Sequence, residues 1–215
     1  MQLAVFDLDG TISRRDTLVP YIAGFLGPAS WRWLGLLGVV PSVPLYALKV
    51  IDRGGLKGSL IHWTLGGATR SQIESWNQRF VPALLRDGLF RDAVAKIDQH
   101  RRNGDKLVLM SASTDLYVPD IGRALGFDEV ICTGVRWNAD RLDGRINTPN
   151  RRGAEKARCF DALQKKYPGL TTYAYGNAGS DLPHLRLATH GYLINGSASA
   201  RAQAQTLGVE SVSWA

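Results

Sequence analysis

From about residue 88 to the C-terminus, apolar runs of strand length alternate with runs of helical period, and this restricts the fold more than any other feature of the 215-residue chain. Leu89 to Arg102 spaces Phe90, Val94 and Ile97 as one helix face and stops at Asn103-Gly104. Lys106 to Met110 is a continuous apolar strand, Asp115 to Leu125 is predicted helical, and Val130 to Cys132 is again strand-like. Val135–Trp137 and Arg141–Ile146 bracket Asn138-Ala139-Asp140 as a hairpin. Helices over Ala154–Lys166, Leu182–Leu187 and Ser199–Leu207 then alternate with strands over Thr171–Tyr175, Tyr192–Ile194 and Val209–Val212. Such alternation predicts an α/β fold, a mostly parallel sheet with helices on both faces.

The first strand of that sheet is Leu3 to Phe6, and it runs into Asp7-Leu8-Asp9-Gly10-Thr11. Side chains two apart on a strand point the same way, so Asp7 and Asp9 converge at its carboxyl end, where open α/β sheets place their ligands. Two crowded carboxylates repel unless a cation sits between them. The pair is therefore either a strand running into an Asp-Gly turn or a site for a hard metal or acid–base chemistry.

Residues 13 to 87 break the alternation with helical runs punctuated by Gly and Pro, as an all-helical insert over the sheet's carboxyl edge would. Asp16 is followed by 15 uncharged residues, then Arg32, then 16 more before Lys49. Neither stretch reaches the roughly 20 apolar residues of a membrane span. Residues 12–60 hold six Lys/Arg against two Asp, more than half of the chain's net charge of +7. An apolar surface with Trp31 and Trp33 and flanking bases fits an anionic membrane interface. A hairpin buried in its own core or in a dimer contact fits as well. The positive charge favours anionic partners, but no RNA-binding motif or zinc-finger spacing points to nucleic acid. Cys132 and Cys159 are too few for a disulfide framework and fit buried thiols of a reducing cytosol. With a catalytic-looking strand in its first residues, the chain shows no signal peptide, which places the site on the cytoplasmic side.

Three further segments are weak singly. Ser111-Ala112-Ser113-Thr114 follows a strand, where hydroxyls and free amides at a helix N-terminus would cradle phosphate. Lys156 falls near the start of a predicted helix, against the helix dipole unless an anion is near. Gly176-Asn177-Ala178-Gly179-Ser180-Asp181 is a Gly-rich turn with an amide and a carboxylate four apart, oxygen donors of the kind Mg²⁺ takes.

The order of these pieces resembles the haloacid dehalogenase superfamily of aspartyl-phosphate phosphatases, and within it the phosphoserine-phosphatase-like branch (subfamily IB). Asn150 to Lys156 and Tyr175 to Leu185 fit that branch, and the apolar, Pro-broken insert is similar to that of the phosphatidylglycerophosphatase C family of lipid phosphatases. The resemblance implies a Rossmann-like, doubly wound core over residues 1–12 and 88–215 with a helical C1-type cap over 13–87. It implies Asp7 as nucleophile, Asp9 as acid and base, and Mg²⁺ held by Asp7, the Asp9 carbonyl, Asn177 and Asp181. Ser111, the Ala112 amide, Lys156, the Gly10 amide and Thr11 would bind the phosphate oxygens. A Gly-Asp pair usually opens the family's acidic loop, and Asn177 here removes one charge, which predicts modest Mg²⁺ affinity. Asp16 stands where a substrate-holding Glu is usual, shorter and in apolar surroundings. The expected function is hydrolysis of a lipid phosphate or another partly apolar phosphomonoester. The alternatives are a soluble phosphatase for a small polar metabolite and a catalytically weakened membrane- or protein-binding module.

Overall fold

The computed structural model describes residues 1–215. The core holds β1 (Leu3–Phe6), β2 (Lys106–Thr114), β3 (Glu129–Thr133), β6 (Thr172–Gly176), β7 (His190–Ile194) and β8 (Glu210–Val212) in one six-stranded sheet. Between β3 and β6 come the hairpin strands β4 (Val135–Asn138) and β5 (Arg141–Ile146). Helices α1 (Leu18–Leu26), α2 (Leu36–Val39), α3 (Ser42–Ala47), α4 (Arg53–Leu65) and α5 (Arg70–Asp87), with a 3₁₀ turn at Trp31–Gly35, fill the insert. The remaining helices are α6 (Arg91–Arg102), α7 (Val118–Ala124), α8 (Ala154–Lys166), α9 (Leu182–Leu185) and α10 (Ala198–Thr206).

The sheet order is β3-β2-β1-β6-β7-β8, and every pairing is parallel. Chain order reverses around β1, which makes its carboxyl end the crevice where such sheets bind ligands. Phe6 pairs with Leu109 on one side and Tyr175 on the other, so the segments after β1 and β6 and the end of β2 meet at one edge. All four residues of β1 are fully buried, as a central strand covered on both faces requires. Leu3 and Val5 pack under Phe160 and Leu163 of α8, whereas Ala4 and Phe6 face the cluster shared with the insert.

That shared cluster ties part of the insert to the sheet. Tyr21 of α1 stacks on Tyr117 at 4.4 Å between ring centroids and donates to Asn77 Oδ1 of α5 at 2.8 Å. Asn77 Nδ2 in turn donates to the Leu116 carbonyl and Asp120, next to and within α7. The α5 N-terminus carries a reciprocal capping box between Thr69 and Gln72. The hairpin β4–β5 leaves the sheet and packs on α4.

Two local expectations change. The segment Ser111–Thr114 is the end of β2 rather than a helix N-terminus, because Thr114 still pairs with Thr133 after a register shift past Met110. Helix α7 starts only at Val118, so Ser111 does not sit at its N-terminus. Trp33, grouped with Trp31 as an interface residue, is half-buried and donates its indole N–H to the Gly27 carbonyl at 2.8 Å.

Candidate active site

Asp7 and Asp9 follow β1 directly, and Leu8 between them is buried in the core, so both carboxylates turn to the opposite side and line one cavity. The turn after them needs Gly10: its φ is +75°, and a Cβ there would lie 2.0 Å from Asn177 Nδ2. The same close approach brings the loop of Asn177 over the end of β1.

Lys156 reaches this point from the first turn of α8. Its side chain is buried, and Nζ donates to Asp7 Oδ1 at 2.6 Å and Asp181 Oδ1 at 2.7 Å. Burial works against the ammonium, but the Asp181 and Asp7 carboxylates outweigh it and hold Lys156 protonated. The two acids do not share the cation equally. Burial would raise Asp181, yet Lys156 and the backbone N–H of Ala178 keep it below the usual carboxylate range. Asp7 has Lys156 and a 3.3 Å bond from Thr11, and burial beside Asp181 and Asp9 pushes it up to about 7.

Asp9 is held by residues that the motifs did not point to. Thr17 gives Oδ1 both its backbone N–H at 2.8 Å and its hydroxyl at 2.6 Å, and Ser113 donates to Oδ2 at 2.5 Å. The Thr17 hydroxyl also meets Tyr117 at 3.0 Å. Burial raises the Asp9 pKa against these bonds. The Thr17 N–H can only donate, so a proton on Asp9 belongs on Oδ2, where the Ser113 hydroxyl can reverse its role. Thr17 is a plain Thr at a helix start and Ser113 lies two residues past the expected phosphate ligand, so neither carried a signal in the sequence.

The cavity encloses about 360 Å³. It collects Asp7, Asp9, Asp16, Ala112, Lys156, Asn177 and Asp181 among the expected residues. Gly10, Thr11 and Ser111 stand behind its wall; Thr11 and Ser111 are fully buried, and the Ser111 hydroxyl accepts from the Ser113 N–H. Lys57, Arg53 and Arg152 also line it, and only the helical insert or the loop before α8 could supply them. Lys57 Nζ donates to the Ala112 carbonyl at 2.6 Å, bridging α4 to the end of β2. Burial lowers its pKa, with Asp9 and Asp16 opposing.

The donors present suit a hard cation. The Asp7 and Asp181 carboxylates and the Asn177 side chain line one cavity, and carboxylate and amide oxygens are hard donors of the kind Mg²⁺ takes. No three acidic, His or Cys side chains close on one point. A cation on Asp7 and Asp181 would therefore take further ligands from the Asn177 side chain or the Asp9 carbonyl, besides water.

His184, just past Asp181, is fully buried with both ring nitrogens unpartnered. Burial and the nearby Lys156 lower its pKa to about 3. The folded state thus keeps it neutral, while the unfolded chain protonates it near 6.5. Its stability contribution is complete above pH 6.5 and is lost as pH falls from 6.5 toward 3. At pH 5 that loss is about 2 kcal/mol. The His184→Leu variant is expected to flatten the dependence of the urea midpoint on pH between 6.5 and 4.5; parallel curves for variant and parent would contradict this.

Comparison with known proteins places the chain among its relatives. The model of the haloacid dehalogenase-like hydrolase family matches residues 4–186. Protein CicA of Caulobacter vibrioides is 35% identical over 199 residues, covering 89% of this chain and 86% of that protein. A protein of Mycobacterium tuberculosis named "Probable phosphatase" is 24% identical, over 95% of this chain and 72% of its own length. The solved structure of a "probable phosphoserine phosphatase" from Vibrio cholerae superposes with a TM-score of 0.72 at 15% identity, covering 98% of this chain and 60% of that one. That likeness is one of fold.

Proposed function

The chain belongs to the haloacid dehalogenase-like hydrolase family, and from that premise we propose that it is a Mg²⁺-dependent phosphomonoester hydrolase acting through an aspartyl-phosphate on Asp7. The observation that carries this reading is the convergence of Asp7 and Asp181 on the buried Lys156 at the switch point of the sheet. Lys156 holds Asp7 Oδ1, so Oδ2, which accepts only the 3.3 Å bond from Thr11, is the oxygen that attacks phosphorus. The alcohol leaves with the proton from Asp9 Oδ2, and Asp9 then takes a proton from the water that hydrolyses the acyl phosphate, freeing inorganic phosphate and Asp7. Lys156, the Ala112 amide and, behind them, Ser111, Gly10 and Thr11 support the equatorial oxygens, where charge is stabilised. Mg²⁺, when bound, supplies the charge that offsets repulsion between the nucleophile and the phosphate. Residues 13–87 act as the cap that selects the substrate.

Leu18, Leu56, Leu60 and Tyr46 share the cavity with the reacting groups, which favours a phosphate carried on a partly apolar body, such as a lipid phosphate. A small zwitterionic phosphate is the second reading, because Asp16 lines the same cavity as Arg53, Lys57 and Arg152. A screen of lysolipid, glycerophospholipid and small-metabolite phosphates separates the two. With a generic aryl phosphate, turnover is expected to vanish in chelator and return with Mg²⁺; turnover indifferent to chelator would refute the metal's part. The Asn177→Asp variant restores a charge and is expected to lower the Mg²⁺ concentration for half-maximal rate by about tenfold. No tightening would remove Asn177 from the ligand set.

A further inference from the structure

We propose that residues 31–50 and the adjoining hairpin form a surface that docks on an anionic lipid bilayer, so that amphiphilic substrates reach Asp7 from the membrane interface. The proposal rests on the phosphomonoesterase reading for its catalytic half only. Of fourteen large hydrophobic side chains exposed on the molecule, nine lie within these twenty residues. Trp31, Leu37 and Leu48 are 78%, 69% and 73% exposed. Soluble monomers seldom leave such an apolar concentration uncovered without a partner for it.

The segment is fixed rather than loose. Its inner side packs on α4: a Cβ at Gly38 would meet the Trp63 ring at 2.3 Å, and Ser42 shares a 2.9 Å hydrogen bond with Ser59. Ser42 therefore points inward, while Lys49 and the apolar side chains stay outside.

Charge identifies the occupant. From Thr17 to Ile51 the chain has Arg32 and Lys49 and no acid. Beside them, a groove of about 770 Å³ brings Trp31, Arg32, Trp63, Arg141 and Arg145 together. Its one acid, Asp143, is already engaged by Arg136 and His62, with Arg145 at 3.9 Å. A second copy of this chain would press like charges on like, with no carboxylate in the stretch to pair them. An anionic headgroup layer instead accepts the cations while its acyl boundary accepts the tryptophan and leucines. No helix is long and apolar enough to cross a membrane, so the contact lies in the interface plane.

The patch leads to the active site. Tyr46, between exposed Leu45 and Leu48, lines the catalytic cavity and accepts from Arg53 Nε at 3.1 Å. A lipid whose phosphate enters past Tyr46 and Arg53 keeps its chains at the apolar surface.

Flotation with vesicles of phosphatidylcholine, with or without phosphatidylglycerol, tests the surface. The full chain is expected to float with the anionic vesicles and at least tenfold less with the neutral ones, roughly fivefold of that per basic side chain engaged. The Leu37→Asp, Leu48→Asp double variant is expected to lose flotation and at least tenfold in kcat/KM on vesicle-embedded phosphatidate. Its turnover of a soluble aryl phosphate should match the parent, because neither residue lines the cavity. Failure of the parent to float with anionic vesicles overturns the proposal, as does a solution dimer that Leu37→Asp dissociates. Flotation without any aryl-phosphate turnover would uphold the docking surface and refute the phosphatase reading instead.

Discussion

Replacing Asp7 by Asn is expected to lower kcat/KM for phosphomonoesters by roughly 10⁴-fold or more while leaving the fold intact, the loss typical when a nucleophile is removed. The carboxamide keeps the shape of the carboxylate, and its oxygen still accepts from Lys156, whose second partner Asp181 is untouched. Stability should hold because the parent pays to keep Asp7 ionised: its folded pKa of about 7 lies above the unfolded value, 3.8. A raised acid favours folding most below pH 3.8, and that advantage drains away as pH climbs from 3.8 to 7. A neutral Asn removes the titration, so the variant should be at least as resistant to urea as the parent at pH 8 without metal. Turnover of an aryl phosphate, read with the urea midpoint, checks both halves. Activity within tenfold of the parent would show that Asp7 is not the nucleophile and that the chain, if it binds membranes or proteins, does so independently of this chemistry.

What the sequence made legible was what local pattern can encode. The carboxyl-edge position of Asp7 and Asp9 follows from a buried strand ending in Asp-Gly, and β1 pairs centrally as its uninterrupted apolar run requires. Lys156 is marked in the sequence only as a cation set against its own helix dipole, and the resemblance makes it a phosphate ligand; its bonds to Asp7 and Asp181 come from tertiary packing. The Ser111–Thr114 segment misled because hydroxyl residues cap helices as readily as they end strands, and a register shift deep in β2 has no sequence mark. Thr17, Ser113 and Lys57 were invisible for a different reason: each reaches the site through a tertiary contact, between residues 8 to 104 positions apart. The exposed apolar stretch was readable as unusual composition. Which side of it faces outward depended on Gly38 and Ser42 packing against α4, and spacing alone cannot place that contact.

Lys156→Met is expected to weaken the fold and the chemistry together, and the two effects separate by metal and pH. Met fills a similar volume, so the main change is electrostatic: Asp7 and Asp181, both nearly buried, lose the ammonium they share. Breaking a buried pair by deleting one partner typically destabilises by about 3–5 kcal/mol. The ammonium is charged throughout pH 5–9, since the carboxylates raise its pKa further above the ordinary lysine value. Any pH dependence of the loss in that range therefore comes from the carboxylates left behind. With no cation between them, one of the two takes up a proton as pH falls toward 5, and the penalty relative to the parent should shrink there. Mg²⁺ should stabilise the variant more than the parent, because a cation that binds only the folded site adds stability as its concentration exceeds its dissociation constant. Turnover should nevertheless fall by roughly 10³-fold, since a group aimed at the charge developing on phosphate is gone. Urea denaturation in chelator and in Mg²⁺, at pH 5 and pH 8, measures all of this. A variant as stable as the parent at pH 8 in chelator would mean that Asp7 and Asp181 do not depend on Lys156 for their charge, and the acids would then have to be neutralised by protonation instead.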